Sequence, residues 1–268
     1  MGDWALILGA SSGFGGATSV ALAKAGWDIF GVHLDRRQTM HNVERIQAEI
    51  EQAGRQSHFF NINVADAEKR AAALDEMASL AGDRHVQLLM HSVAFGALKP
   101  VIADDPKDAL TQAQIEMTLD VMASSLVYWT QELVARKLMI GGGRIYAMTS
   151  SGGTRAIPSY GAVSAAKACL EAYIRQLAVE LGPRGITANA IRAGVTDTPA
   201  ARLIPGSDQL FAEALQHNPR QRLTTPGDVA ALIALLSRPE SDWLSGNVIG
   251  VDGGEDVTGG SLVSAAAH

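Results

Sequence analysis

A tyrosine and a lysine seven residues apart form the pair in this sequence whose types and spacing could do chemistry. Tyr160 and Lys167 follow Pro158 in an alanine-rich stretch, which predicts a helix from 159 to about 181. Seven residues are almost two helical turns, so both side chains should project from one face. Because a cation favours a phenolate, we expect Lys167 to lower the pKa of Tyr160 and allow proton donation near neutral pH. The alternative is an ordinary amphipathic helix with a surface tyrosine and lysine.

The elements that would position this pair follow a regular alternation of apolar runs and helical patterns. This alternation predicts a doubly wound parallel sheet covered by helices on both faces, in one α/β domain spanning 1–268. The seven predicted strands are 4–8, 28–34, 57–62, 86–90, 144–149, 186–191 and 247–251. The predicted helices are 17–25, 40–53, 66–81, 111–138, 159–181 and 226–237. The fifth strand ends at Ser150, so Ser150 and Tyr160 should reach one place from two elements.

Composition excludes several classes of function. The net charge of -6 argues against nucleic acid or an anionic membrane as a partner, since both require a basic face. The start of the chain lacks a basic region followed by an apolar one, and no apolar run reaches about 18 residues. We therefore expect a cytoplasmic protein. The single cysteine, Cys169, excludes an internal disulfide, and no ligand spacing predicts a metal site.

A glycine-rich turn directly follows the first strand and precedes a helix. Glycines let the backbone approach a pyrophosphate, and the free N–H groups of the next helix attract its charge. A plain tight turn is the alternative, but the strand-turn-helix context favours a dinucleotide site. The candidate residues of this turn are Gly9, Ser11, Ser12, Gly13, Phe14 and Gly15.

The end of the second strand carries both signals for cofactor choice. An acid about twenty residues past the glycine turn typically holds the ribose of NAD, whereas arginine suits the 2′-phosphate of NADP. Here Asp35 stands beside Arg36 and Arg37, so the pattern alone is ambiguous, and the arginines could also simply be solvated.

Two further strand ends should line the same edge of the sheet. Asn63 and Val64 would lie beside the adenine ring, and Ser92, Val93 and Ala94 follow the fourth strand.

Two other polar residues, His91 and Asp120, also need an explanation. His91 could be a base, but a histidine at a strand end is more often structural. Asp120 lies in an apolar part of the long helix and therefore needs a local partner.

The chain resembles the short-chain dehydrogenase/reductase family along nearly its whole length, from the glycine turn to Val251-Asp-Gly-Gly254. Most members have Tyr-x-x-x-Lys, but this sequence has Val163 in that tyrosine position. Three features resemble the enoyl-acyl-carrier-protein reductases: the Tyr-x6-Lys spacing, His91-Ser-Val-Ala-Phe95 and Arg155-Ala-Ile-Pro-Ser-Tyr160. Because the chain also keeps an ordinary glycine turn, the combination most resembles the Bacillus type of these reductases.

This resemblance implies an NAD(P)H-dependent reductase of trans-2-enoyl thioesters, on a carrier protein or as small molecules, in fatty-acid biosynthesis. Tyr160 would stabilise the enolate, and Lys167 would bind the nicotinamide ribose. Ser150 would be a second oxyanion donor or a bystander, because the common bacterial enoyl reductases have a second tyrosine there. Members restricted to NAD have their acid where this chain has His33, so the two arginines favour NADPH, with NADH possible.

The resemblance also implies a loop over the nicotinamide, with the Val195 backbone near the carboxamide and Thr198 near the phosphates. Residues 196–225 would be a substrate lid, or an ordinary packed helix. Tetramers of the family form through the helices at 111–138 and 159–181, which suggests a homotetramer. A carbonyl or 3-ketoacyl reductase, or alcohol dehydrogenase, is the first alternative function, and a non-catalytic dinucleotide sensor the second.

Overall fold

A computed structural model describes residues 3–258. Seven parallel strands form one sheet in the order β3-β2-β1-β4-β5-β6-β7, which confirms the doubly wound fold. The strands are β1 (Trp4–Leu8), β2 (Asp28–His33), β3 (Ser57–Asn61), β4 (Val86–His91), β5 (Arg144–Thr149), β6 (Thr187–Ala193) and β7 (Val248–Val251). Strand order reverses between β1 and β4, and ligands of such sheets bind at this switch point.

Helices cover both faces of the sheet. They are α1 (Gly13–Lys24), α2 (Met40–Gln52), α3 (Ala67–Ala81), α4 (Gln112–Leu119), α5 (Ser125–Ala135), α6 (Gly161–Leu181), α7 (Ser207–His217) and α8 (Pro226–Leu236). Apolar side chains of α1, α2 and α8 pack on one face, and those of α3, α5 and α6 pack on the other. No helix among residues 3–258 is both long and apolar enough to cross a membrane.

The helix that carries Lys167 begins later than the sequence predicts. Its first residue is Gly161, and Tyr160 is the N-cap residue, with φ -106° and ψ 5°. The residue before it, Ser159, has a left-handed φ of 59°, which is uncommon for a residue other than glycine. The predicted start at 159 is therefore wrong, because the Pro158-Ser159 turn delivers Tyr160 from outside the helix.

The predicted helix at 111–138 is interrupted by a π-turn at Asp120–Ser124, between α4 and α5. Single π-turns inside helices are rare and occur frequently at functional sites. Asp120 is half-buried, and its carboxylate accepts a hydrogen bond of 2.8 Å from the Tyr128 hydroxyl. Asp120 thus has the local partner that its apolar surroundings require.

Candidate functional site

Two adjoining cavities form a continuous cleft along the carboxyl edge of the sheet. One has a volume of about 270 Å³ and lies at the ends of β1, β2 and β3, and the other, of about 310 Å³, lies at the ends of β4, β5 and β6. The residues that line both are Phe14, Ser92, Val93, Ala94, Phe95, Thr198 and Ala200. We call the first cavity the adenosine end and the second the nicotinamide end, after the parts of a dinucleotide that they would hold.

The glycine turn fits the backbone approach that a pyrophosphate needs. Gly9 has φ +90°, and a Cβ there would overlap the Ser92 carbonyl oxygen. Gly15 does not line the cleft, but a Cβ there would overlap the Gly9 carbonyl oxygen, so it sets the close packing of α1 on the turn. The N-cap residue of α1, Ser12, makes no side-chain cap, which leaves the first-turn N–H groups available to an anion. Ser11, Ser12, Gly13 and Phe14 all line the adenosine end.

At the adenosine end, the polar groups at the end of β2 are already paired with each other. The Asp35 carboxylate accepts a hydrogen bond of 3.0 Å from His33 Nδ1. Burial favours a higher pKa for Asp35, but hydrogen bonds from Ser11, Thr39 and His33 outweigh it, so the pKa lies below its usual value. Burial also lowers the pKa of His33. Of these predicted residues, His33, Asn63 and Val64 line the cavity.

Arg36 and Arg37 stand apart from this network. Both side chains are exposed and do not line either cavity. Neither makes an ion pair among the described residues 3–258. The structure therefore leaves both free to meet a phosphate, but it does not hold either in position for one.

At the nicotinamide end, Lys167 is buried in the wall of the cavity. Its Nζ donates a hydrogen bond of 2.8 Å to the Met148 carbonyl oxygen of β5. Burial lowers the pKa of Lys167 to about 8, and the negative charge of Glu171 opposes that decrease. Glu171, which the sequence analysis missed, accepts a hydrogen bond of 2.6 Å from Thr149 Oγ1. Its position one helical turn after Lys167 is the sequence signal that could have indicated an interaction between the two residues.

Tyr160 and Ser150 meet in the same cavity, as their elements predict. A Cβ on Gly152 would stand 2.7 Å from the Tyr160 ring and 3.2 Å from Ser150 Oγ, so the two side chains flank one glycine. Ser150 Oγ is buried and makes no hydrogen bond of regular geometry among the described residues, although it is close enough to the Tyr160 hydroxyl to affect its pKa.

The expected lowering of the Tyr160 pKa is wrong. Burial raises the pKa of this phenol, and the neighbouring Ser150 hydroxyl offsets only part of the increase. The Lys167 ammonium donates to the Met148 carbonyl oxygen and does not offset the effect of burial on Tyr160. Tyr160 is therefore a neutral hydrogen-bond donor near neutral pH.

His91 is fully buried at the end of β4 and does not line either cavity. Its Nε2 lies 2.8 Å from Ser125 Oγ, which in turn donates to the Val121 carbonyl oxygen of the π-turn. Burial, followed by the charge of Lys167, lowers the pKa of His91 to about 3, so the imidazole is neutral. These contacts favour the structural interpretation of His91 over a base.

One contact in the loop after β6 differs from the arrangement that the family resemblance implies. The Val195 N–H donates to both carboxylate oxygens of Glu255, at 3.1 and 3.2 Å, and is thus not free for a carboxamide. Val195 and Thr198 do line the nicotinamide end. The expected use of the Val195 N–H therefore requires Glu255 to move.

Glu255 belongs to a short turn, Glu255–Val257, that ties together the loops around the nicotinamide end. The Asp256 carboxylate forms ion pairs of 2.9 Å with Arg155, from the loop before Tyr160, and with Arg192 of β6. No local sequence pattern predicts the role of this turn, because its partners lie about sixty to a hundred residues away.

The outer part of the nicotinamide end is apolar. Leu203, Ile204 and Leu210 come from the segment before α7 and from α7 itself, and they line the cavity together with Ile157 and Leu98. Leu203 is 73% exposed although it lines the cavity, so it stands at the mouth. No cluster of three or more His, Cys, Asp or Glu side chains within residues 3–258 could hold a metal ion.

Known proteins share both this sequence pattern and this fold. A 1-cyclohexenylcarbonyl-CoA reductase of Streptomyces collinus is 28% identical over 93% of this chain and 85% of its own. An enoyl-(acyl-carrier-protein) reductase (NADH) of Nostoc sp. is 32% identical over 76% of each chain. A short-chain dehydrogenase of Burkholderia cenocepacia in complex with NADP has a TM-score of 0.81 and 29% identity, covering 96% of this chain and 98% of that one.

The sequence profile described as enoyl-(acyl carrier protein) reductase matches residues 9–256, from the glycine turn to the turn after β7. That span includes every candidate residue of the cleft. The chain therefore belongs to this enoyl-reductase-like family, within the short-chain dehydrogenase/reductase superfamily of oxidoreductases.

Proposed function

We propose that this protein reduces the carbon–carbon double bond of a trans-2-enoyl thioester, with NADPH as the reductant. The observation that carries the proposal is the placement of the tyrosine. Tyr160 lines the cavity as the N-cap residue of α6, whereas the position one turn before Lys167 holds the apolar Val163. An enolate oxygen lies farther from the carbon that accepts hydride than a carbonyl oxygen does, and the displaced tyrosine suits the longer separation.

The cleft fits a nicotinamide dinucleotide by its own geometry. The glycine turn permits close backbone approach, the N-terminus of α1 offers N–H groups to a pyrophosphate, and the two cavities are continuous. When bound, the reduced cofactor would supply a hydride to the β-carbon of the substrate.

The residues of the cleft act on the charge that this addition creates. Electrons of the double bond move to the thioester oxygen as an enolate forms, and the α-carbon later takes a proton from solvent. Tyr160 stays protonated because burial raises its pKa, so it can donate a hydrogen bond to that oxygen. Lys167 adds a buried positive charge beside the same cavity and would hold the nicotinamide ribose.

An acyl thioester is the substrate class that the outer cavity supports. Leu98, Ile157, Leu203, Ile204 and Leu210 offer apolar contact to an acyl chain. The named activity of the Streptomyces collinus relative, on a coenzyme A thioester, is consistent with this class. We propose that residues 196–225 close over the acyl chain as a lid. Protection of this segment from limited proteolysis by NADPH and a thioester would support closure, whereas unchanged cleavage would contradict it.

We propose NADPH over NADH because the side chains of Arg36 and Arg37 are available for a 2′-phosphate. The relatives bind either cofactor by name, NADH in Nostoc sp. and NADP in Burkholderia cenocepacia. We also propose a homotetramer formed through α4–α5 and α6, on the basis of the family resemblance. Light scattering behind size-exclusion chromatography tests the assembly, and a monomer at micromolar concentration would refute it.

The test of the function compares two thioesters and two cofactors. Loss of reduced-nicotinamide absorbance is followed with crotonyl-coenzyme A and with acetoacetyl-coenzyme A, using NADPH and NADH in turn. Turnover of the crotonyl thioester is expected. Tyr160→Phe should lower kcat by about 10²- to 10³-fold, since it removes an oxyanion donor. Tyr173→Phe, on the same helix but outside both cavities, is the matched control. A fully active Tyr160→Phe enzyme would refute the assignment.

Reduction of a carbonyl group is a second candidate, favoured by one observation. Ser150 lines the same cavity as Tyr160, and its buried Oγ makes no regular hydrogen bond, as a pair of donors to one carbonyl oxygen would require. Turnover of the acetoacetyl thioester alone would support this candidate. Cofactor binding without turnover of either thioester would instead indicate a dinucleotide sensor.

A further inference from the structure

Glu171 is a buried acidic residue that the proposed reaction does not use. It lies one turn after Lys167 on α6 and is 9% exposed. One of its carboxylate oxygens accepts the hydrogen bond of 2.6 Å from Thr149 Oγ1, at the end of β5. Burial of a carboxylate is unfavourable unless it is compensated, so this side chain needs a reason to be inside.

Glu171 also packs closely against the turn that precedes Tyr160. A Cβ on Gly153 would stand 3.0 Å from Glu171 Oε1, which is tighter than ordinary contact. Gly153, the last residue of the turn at Ser151–Gly153, therefore lies close to the carboxylate. Glu171 thus touches the strand end that precedes Ser150 and the turn that leads to Tyr160.

The same carboxylate lies near Lys167, because the two residues are one helical turn apart on α6 and hydrogen-bond the neighbouring β5 residues Thr149 and Met148. Burial lowers the pKa of Lys167 to about 8, and Glu171 is the charged group that opposes this decrease. The one hydrogen bond of Lys167 Nζ within the described chain goes to the neutral Met148 carbonyl. Removal of the Glu171 charge would leave a buried ammonium with no compensating anion among residues 3–258, a state that burial penalises.

Other charged groups on the elements around α6 are engaged elsewhere. Asp120 of the π-turn accepts from Tyr128, and Arg192 of β6 pairs with Asp256. Arg144 of β5 donates to backbone carbonyl groups at the opposite end of the strand. The neutral His91 is the titratable group that faces Lys167 from β4, and Tyr160 faces the same cavity.

We propose that Glu171 is a positioning residue that acts through Lys167 and keeps its ammonium charged in the wall of the nicotinamide end. The inference rests on the proposed function only in that Lys167 serves hydride transfer there. The charge relation between the two residues belongs to the free protein.

The experiment measures the titration of Lys167 directly. Protein labelled with ¹³C at lysine Cε is titrated by NMR without cofactor, and the Lys167 signal is identified by its loss in Lys167→Arg. Glu171→Gln keeps an acceptor for Thr149 but removes the charge, and the midpoint of Lys167 should fall by about one pH unit or more. The alkaline limb of the kcat/KM profile should move to lower pH by the same amount. Glu171→Asp should restore both.

Glu180→Gln is the matched control, since Glu180 is exposed on the same helix and pairs with Gln176. If Glu171→Gln does not fold, Glu171→Met replaces it, because an apolar side chain of similar volume avoids a buried polar group. An unchanged Lys167 midpoint in a folded variant overturns the inference. A shifted midpoint in a protein that reduces neither thioester supports the inference and refutes the proposed function.

Discussion

The two ends of the cleft differ in how their charged side chains are held. At the nicotinamide end, the Lys167 ammonium and the Glu171 carboxylate are buried and held by β5 and α6. At the adenosine end, Asp35 is satisfied by its neighbours, while Arg36 and Arg37 extend into solvent. Packing at the nicotinamide end determines which side chains lie together, so their positions indicate specific roles. At the adenosine end, the choice of cofactor depends on exposed side chains that would become ordered only when a ligand binds.

The largest expected effect comes from the buried charge. Lys167→Met should lower kcat/KM by about 10²- to 10⁴-fold, the range for loss of a positioned catalytic group. Lys69→Met, an exposed lysine on α3, is the control in the same steady-state assay. Activity of Lys167→Met within threefold of the control would show that the nicotinamide end does not depend on its buried charge.

Ser150→Ala tests whether the unpartnered hydroxyl at this end is a donor. We expect kcat to fall by about 10²-fold, as for removal of one oxyanion donor. Ser164 offers a close control, because its hydroxyl is also buried without a partner but lies outside both cavities. If Ser150→Ala and Ser164→Ala have equal rates, Ser150 is a bystander and Tyr160 acts alone.

At the adenosine end, the double variant Arg36→Ala/Arg37→Ala should weaken NADPH binding by about 10- to 100-fold, from the loss of charge-assisted hydrogen bonds. NADH binding should be unchanged, since it has no 2′-phosphate. Fluorescence titration of both cofactors measures this, with Arg45→Ala on α2 as the control. Equal affinities for NADPH before and after the change would contradict the NADPH proposal.

The smallest expected effect concerns stability and pH. Burial raises the pKa of Glu255 above 4.5, so its contribution to stability is present below that pH and is lost as the pH rises through the raised value. Wild type should therefore lose stability relative to Glu255→Gln from pH 4.5 upward, by less than about 1 kcal/mol because the group is partly solvated. Thermal unfolding at several pH values measures the difference.

Exposed Glu240→Gln is the control for that titration and should follow the wild-type curve. A Glu255→Gln protein whose midpoint falls relative to wild type as the pH rises would reverse the sign and refute the argument.

The sequence predicted those features that depend on local periodicity and on sheet topology. Ser150 and Tyr160 meet because the carboxyl ends of parallel strands share an edge. The glycine turn lies where its strand-turn-helix context placed it. Both inferences need only the pattern of residues along one or two elements.

Other features depend on three-dimensional burial or on distant partners. The direction of the Tyr160 pKa is set by desolvation, which spacing along a helix does not report. The Glu255 contact with the Val195 N–H joins residues sixty positions apart. The π-turn at Asp120–Ser124 follows no residue signal that we recognise. The Lys167 and Glu171 relation was within reach of the sequence, since the two are one helical turn apart.

The turn at Glu255–Val257 also constrains the order in which the cleft can form during synthesis. Its ion pairs and hydrogen bonds secure Arg155, Arg192 and Val195, all of which leave the ribosome earlier. A domain generally folds as a unit, so these loops lack their partner until β7 and this turn have been made. The nicotinamide end of a nascent chain would thus become rigid only after this turn has left the ribosome.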